Sequence, residues 1–239
     1  IANFCVSAEH AGKRSCGKMI KAVVLDFYGT IAEESYNLLD RVAGMFLEHG
    51  ANAAREEICD LWWKGFRAAC DGAHGKTFAL QKELYPRVFA EMAEKTGARG
   101  LDYAELTKEV LEFAVSSPML EDARRFLREC PLPYYILSNI DNAELGKIIA
   151  LPGLRPCGVF TSEDAREYKP RKGIFEKGLQ KFGLAAGEAV YAGDSYINDY
   201  CGASGAGMTA FWVNRMGEPV PDGARAVPDL CALLPLLKA

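Results

Sequence analysis

Residues 20–25, IKAVVL, form a short apolar run rich in β-branched side chains, closed by Asp26-Phe27-Tyr28-Gly29-Thr30. Such a run predicts a buried strand entering a turn. Over residues 35–115 the pattern changes. Apolar positions recur at helical spacing (Leu38, Leu39, Val42, Met45, Phe46, then Leu80, Leu84, Val88, Phe89, Met92), with loops expected near 71–76 and 97–101. From Ser117 onward, strand and helix patterns alternate. A helix over 121–130 precedes the strand PYYILSN, followed by GVFTSED, a helix over 173–183, the strand AVYAGDS, a Gly/Ala-rich helix near 199–207, and TAFWVNR. This alternation predicts an α/β fold, a doubly wound parallel sheet with helices on both faces. The helical block sits between the first strand and the rest, as an α-helical cap inserted into one domain. The expected division is a core of residues 19–33 and 116–239 and a cap of residues 34–115.

Residues 1–18 lack this periodicity, contain Lys13, Arg14 and Lys18, and end just before Met19. They hold no apolar stretch of the secretory kind and read as an N-terminal extension or a segment foreign to the protein. The 239 residues suffice for one α/β domain with an insertion. A net charge of −4 gives no basic surface for nucleic acid or membrane. No apolar run reaches the roughly 20 residues of a membrane helix. The eight cysteines include no CxxC pair and are scattered, which favours reduced thiols and a cytoplasmic location.

Open parallel sheets gather reactive residues at the carboxyl ends of their strands. Of four polar clusters, three lie at such ends. Asp26 follows the first strand and could equally be a cap or turn residue. Ser138-Asn139 follows YYIL and could be a plain polar strand end. Lys169-Pro170, within SEDAREYKP, could be a solvated charge. Gly193-Asp194-Ser195 with Asn198-Asp199, after AVYA, places two acids five residues apart at a strand-to-helix turn, which resists a purely structural account. The GASGAG stretch at 202–207 lies inside an expected helix with no strand turn before it, so it is not read as a nucleotide loop.

In order and spacing, strand-DxYGT, strand-SN, YKP and strand-GDSxxND resemble the four motifs of the haloacid dehalogenase-like (HAD) hydrolase superfamily, in the subfamily with a helical cap after the first motif. The resemblance spans residues 21 to about 215. It implies a Rossmann-like core, Asp26 as nucleophile, Lys169 as the positive charge beside it, and Ser138 holding the substrate's anionic oxygens. It adds Thr30 and Asn139 to the substrate-binding set. Three carboxylates converging without a cation would repel one another and an anionic substrate, and a hard divalent ion answers that. The resemblance implies Mg²⁺ held by Asp26, the Tyr28 backbone carbonyl and Asp194, with Asp199 in support.

Position 28 divides the family. HAD phosphatases carry a second aspartate there as general acid and base, whereas Tyr28 is a phenol poorly matched to activating water near neutrality. DxYGT, ILSN and Tyr168-Lys169-Pro170 instead resemble 2-haloacid dehalogenases, whose halide leaving group needs no proton. The fourth motif points back, because Gly193-Asp194-Ser195 carries the acid of metal-dependent phosphatases. The expected function is a Mg²⁺-dependent phosphatase or phosphotransferase on a small phosphorylated metabolite. The alternatives are a 2-haloacid dehalogenase, a phosphonatase-like enzyme using Lys64 or Lys76, and a HAD scaffold that binds with little turnover. Within the cap segment LWWKGFR (61–67) the aromatics belong either to the cap core or, with Trp63 and Arg67, over the substrate. His49 and His74 read as surface residues. The expected partner is a small anionic molecule, with neither nucleic acid nor membrane, for a monomer or homodimer.

Overall fold

The computed structural model describes residues 19–33, 36–149 and 152–237. The reading of residues 1–18 therefore falls outside the described residues. Strand β1 (Ala22–Leu25) is buried along its whole length and lies inside a six-stranded, all-parallel sheet. The order is β3 (Val159–Thr161), β2 (Tyr134–Ser138), β1, β4 (Ala189–Gly193), β5 (Thr209–Val213), β6 (Ala226–Val227).

Period-2 alternation explains why both faces are covered. Val23, Leu25, Ile136, Val190 and Ala192 point into one apolar cluster, with Phe126 and Leu233. Val24, Leu137, Tyr191 and Ala210 point into the other, with Ile174, Phe175 and Leu179. The first face is covered by α5 (Glu121–Glu129) and a 3-10 segment, Leu230–Leu237; the second by α8 (Lys172–Phe182) and α9 (Gly202–Gly205). Burying one aliphatic side chain stabilises by roughly 1.5–3 kcal/mol, so these two faces dominate the sheet's stability.

Between β1 and β2 lie α1 (Tyr36–Glu48), α2 (Arg55–Gly72), α3 (Gln81–Thr96) and α4 (Tyr103–Val115). They form the helical cap around their own cluster, including Val42, Phe46, Ile58, Trp62, Phe89, Met92, Leu106 and Val110. Trp62 meets Phe89 edge-on at 5.3 Å between centroids. The outgoing and returning strands of chain run side by side, with Leu120 N donating to Ile31 O at 2.9 Å and Glu33 N to Pro118 O at 2.9 Å. No helix of the described residues is long and apolar enough to cross a membrane.

The cap is tied to the core above β2. Short helices α6 (Asn142–Ile148) and α7 (Ser162–Ala165) follow β2 and β3. Asp141, just before α6, is buried, and its two carboxylate oxygens accept from Gln81 N at 3.0 Å and Lys82 N at 3.2 Å, the first amides of α3. A helix start presents donors and a partial positive charge, so a carboxylate from another element caps it well. Asp141→Ala is expected to destabilise by about 1–3 kcal/mol, because two amides lose their acceptor in a dry site. Differential scanning fluorimetry should show a drop of several degrees, at roughly 2–4 °C per kcal/mol, and a smaller one for Asp141→Asn. An unchanged melting temperature would remove Asp141 from cap docking.

One expectation is refined and one strand is added. The helix foreseen over 199–207 is a π-helical turn, Tyr196–Cys201, followed by the short α9. Both Asp199 N and Tyr200 N donate to Ser195 O, at 2.9 and 3.2 Å, which widens the turn. Strand β6 was not foreseen, since two residues at a sheet edge carry no periodicity.

Candidate active site

The register of the central strands decides which residues meet. Leu25 pairs with Ile136 of β2 and with Ala192 of β4, so the carboxyl ends of β1, β2 and β4 lie together. Strand order reverses on either side of β1, the place where open parallel sheets form their crevice. Asp26, Tyr28, Ser138, Asn139, Lys169, Asp194 and Asp199 all line one cavity of about 670 Å³ there.

Lys169 is the hub. Its buried ammonium donates to Asp26 Oδ1 at 2.6 Å, to Asp199 Oδ1 at 2.6 Å and to the Tyr191 hydroxyl at 3.2 Å. Tyr191 donates to the same Asp199 oxygen at 2.7 Å, and Ser195 N donates to Asp199 Oδ2 at 3.0 Å. Both Asp199 oxygens are thus engaged inside the protein, and Asp199 holds the lysine in place.

Burial pushes the Asp26 carboxyl up to about 6, aided by the Asp199 charge and opposed by Lys169. Burial pulls the Lys169 ammonium down, but Asp199 and Asp26 outweigh it and hold it above the ordinary lysine range. Burial, then Asp199, keeps the Tyr191 phenol well above its usual range, so it stays a donor.

Asp26, Asp194 and Asp199 each offer an oxygen within 4.8 Å of the others. Their approach depends on backbone as much as side chains. Gly29 has φ +74°, and a Cβ there would overlap the Asp194 carboxylate. At Gly193 a Cβ would overlap Asp199. Glycine at position 29 lets the first motif close on the fourth, and glycine at 193 lets Asp199 fold back beside its own strand end.

The remaining assignments sort differently. Thr30 is fully buried, its hydroxyl donating to Asp194 Oδ1 at 3.1 Å and accepting from Asp194 N at 3.0 Å. Its assignment to substrate is therefore corrected; it bolts the first motif to the fourth. Asn139 lines the cavity, yet its side chain accepts from Lys169 N at 2.7 Å and donates to Lys169 O at 3.2 Å. It clamps the lysine's backbone, leaving its amide little capacity for a substrate. Trp63 is 46% exposed and lines the cavity, whereas its neighbour Trp62 is in the cap core. Arg67 is exposed and lines an adjoining cavity instead. Lys64 pairs with Asp60 at 2.9 Å on the surface, and neither it nor Lys76 lines either cavity. His49 and His74 are exposed.

Tyr28 is the least expected environment. Its hydroxyl is buried without a hydrogen-bond partner among the described residues. Burial, then Glu144 and Asp26, raises the phenol far above its ordinary value.

Three residues escaped the sequence reading. Tyr191 is a lone hydroxyl in an otherwise apolar strand. Arg215, after β5, donates to the backbone carbonyls of Gly29 and Thr30 and to Asp122 at 2.7 Å, pinning the loop that follows Asp26. Glu144 shares the inward stripe of α6 with Leu145 and Ile148, an acid where an apolar residue is expected. The described cysteines, at 59, 70, 130, 157, 201 and 231, are free thiols.

A model of the haloacid dehalogenase-like hydrolases matches residues 20–207. The haloacid dehalogenase-like hydrolase domain-containing protein 3 of Danio rerio is 32% identical over 107 residues, covering 41% of this chain and 42% of that protein. A phosphoserine phosphatase of Thermus thermophilus is 30% identical over 149 residues, covering 60% and 59%. The chain thus spans less than two thirds of the length of these curated relatives. Among solved structures, an L-2-haloacid dehalogenase superposes with a TM-score of 0.77 at 22% identity, over 93% of this chain and all (100%) of that one. A Bacillus subtilis HAD-hydrolase, described as bound to magnesium, gives 0.73 at 18% identity over 93% and 100%. At these identities the structures attest the fold.

Proposed function

The chain belongs to the haloacid dehalogenase-like hydrolases, and from that premise we propose that it is a Mg²⁺-dependent phosphoryl hydrolase or phosphotransferase acting on a small phosphorylated metabolite. The observation that supports this is a convergence of carboxylates. Asp26, Asp194 and Asp199 bring oxygens within 4.8 Å of one another beside the Lys169 ammonium, in a site that must also accept an anion. A hard divalent cation with oxygen ligands fits that donor set. Asp26, Asp194 and the Tyr28 backbone carbonyl would hold it, with Asp199 behind them; when bound it would neutralise the phosphoryl oxygens.

In this reading an Asp26 carboxylate oxygen attacks phosphorus, the ester P–O bond breaks, and water then hydrolyses the aspartyl phosphate to release phosphate and restore Asp26. Lys169 and the Ser138 hydroxyl steady the phosphoryl oxygens. The leaving oxygen departs with the bonding pair and must be stable as an anion or find a proton. A Tyr28 phenol so resistant to ionisation gives up its proton poorly to a departing oxygen. The site therefore favours leaving groups that need little protonation, such as phenols. The family likeness to a phosphoserine phosphatase supports the phosphoryl class.

Tyr28 itself favours a second reading, hydrolytic removal of halide from a 2-haloacid. There Asp26 would displace halide from carbon, and no acid would be required.

One protein sample decides between them. Hydrolysis of p-nitrophenyl phosphate is expected to need Mg²⁺ and to fall on the order of a hundredfold or more in chelator, the loss of several kcal/mol of charge stabilisation. Chloride release from 2-chloropropionate is expected to be absent. Chelator-insensitive chloride release would replace the phosphoryl reading with the dehalogenase one.

A further inference from the structure

A second cavity of about 430 Å³ adjoins the first beneath the cap; Tyr28, Trp63, Asn139, Lys169, Ser195 and Asn198 line both. Its other walls are largely apolar and aromatic, including Leu38, Trp62, Phe66, Tyr85 and Leu111. Phe66 and Tyr85 stack with centroids 4.8 Å apart and planes 13° apart. Two residues that line this chamber carry a buried polar atom with no partner among the described residues, the Tyr28 hydroxyl and Oε2 of Glu144. Glu144 is 7% exposed.

A carboxylate oxygen shut away from water with no donor costs free energy that only a partner can recover. Among the described residues, the cations at the chamber do not serve. Lys169 is committed to Asp26, Asp199 and Tyr191, and Arg67 lies on the exposed rim. A ligand carboxylate or phosphate would be repelled by Glu144. A hydroxyl would bring one donor, whereas an ammonium brings three donors and the complementary charge, enough for Glu144 and the Tyr28 oxygen together. Aromatic walls add attraction for a flat body and for the cation itself.

Resting on the phosphoryl-hydrolase reading above for the reacting end, we propose that this chamber takes the leaving-group half of the substrate, an aryl body ending in a protonated amine that pairs with Glu144 and the Tyr28 hydroxyl. The substrate class is then an aryl phosphate with an amine arm. This agrees with the absence of a leaving-group acid at position 28.

The test compares O-phosphotyramine with 4-propylphenyl phosphate, which puts a methyl where the ammonium stood. The wild-type kcat/KM ratio is expected to favour the amine by on the order of tenfold or more, the worth of one charged hydrogen bond. In Glu144→Gln that ratio is expected to fall to about one. Equal rates in the wild type, or a ratio that survives Glu144→Gln because both rates fall together, would overturn the assignment. Binding is read separately, from tryptophan fluorescence during titration with tyramine and with 4-propylphenol. If neither ester is hydrolysed, the phosphoryl reading fails alone. Tyramine binding tenfold tighter than 4-propylphenol to the wild type would still support the amine site, and equal binding would remove it. This arm needs no variant, so a Glu144→Gln protein that fails to fold leaves the decision intact.

Discussion

Asp26→Asn is expected to lower kcat by roughly 10⁴–10⁶-fold, the scale seen when a covalent nucleophile is removed, while the protein stays folded. Asparagine keeps the shape of the side chain and one acceptor oxygen for Lys169, which retains Asp199 at 2.6 Å. One fewer buried carboxyl faces Asp199, so the melting temperature in metal-free buffer should match or exceed that of the wild type. Loss of activity with retained stability separates a nucleophile from a structural acid. Turnover surviving in a preparation free of wild-type enzyme would remove Asp26 from that role, under the phosphatase and dehalogenase readings alike.

Lys169→Met is expected to damage activity and stability together. Lys169 is buried and is the cation that bridges Asp26 and Asp199. Methionine fills much of the volume but leaves two carboxylates facing each other in a poorly screened site. Breaking a buried pair by removing one partner typically costs roughly 3–5 kcal/mol, a fall of roughly 6–20 °C at 2–4 °C per kcal/mol. Asp26 already titrates above the ordinary aspartate value of 3.8. Ionising a group whose folded value is raised destabilises the fold above its unfolded value. The deficit should therefore grow as pH rises past about 4 and shrink in stronger acid. Mg²⁺ should raise the melting temperature of the variant more than that of the wild type, since binding to the folded state stabilises by mass action. Activity is expected to fall on the order of 10²–10³-fold. A melting temperature equal to the wild type at neutral pH would show that the triad does not carry the charge balance assigned to it.

Much of this site was legible from the chain alone. Four polar clusters after apolar runs predicted a sheet-end site, and Asp26, Ser138, Lys169, Asp194 and Asp199 do line one cavity. What could not be read was the use of each polar group. Thr30 and Asn139 carry the same donors whether they face a substrate or the protein. Only burial of one and the Lys169 backbone against the other decides. Trp62 and Trp63 are neighbours of one residue type, and helix phase buries Trp62 in the cap core while Trp63 alone of the two reaches the cavity around Asp26. The role of Gly29 depends on an Asp194 that lies 165 positions later.

The architecture follows from patterns that are local along the chain. Apolar runs such as IKAVVL bury both faces of a parallel sheet, helical periodicity between the first and second strands builds the cap, and motif order points to the family. Those are local properties, set by spacing and by the need to bury apolar surface. The tertiary structure decided what is non-local: which carboxylates share one lysine, which glycines let them approach, and which polar atoms are left without partners. The Tyr28 hydroxyl and Oε2 of Glu144, unpartnered among the described residues, belong to that second kind. An unsatisfied group exists only relative to the side chains around it, and those come from distant parts of the chain.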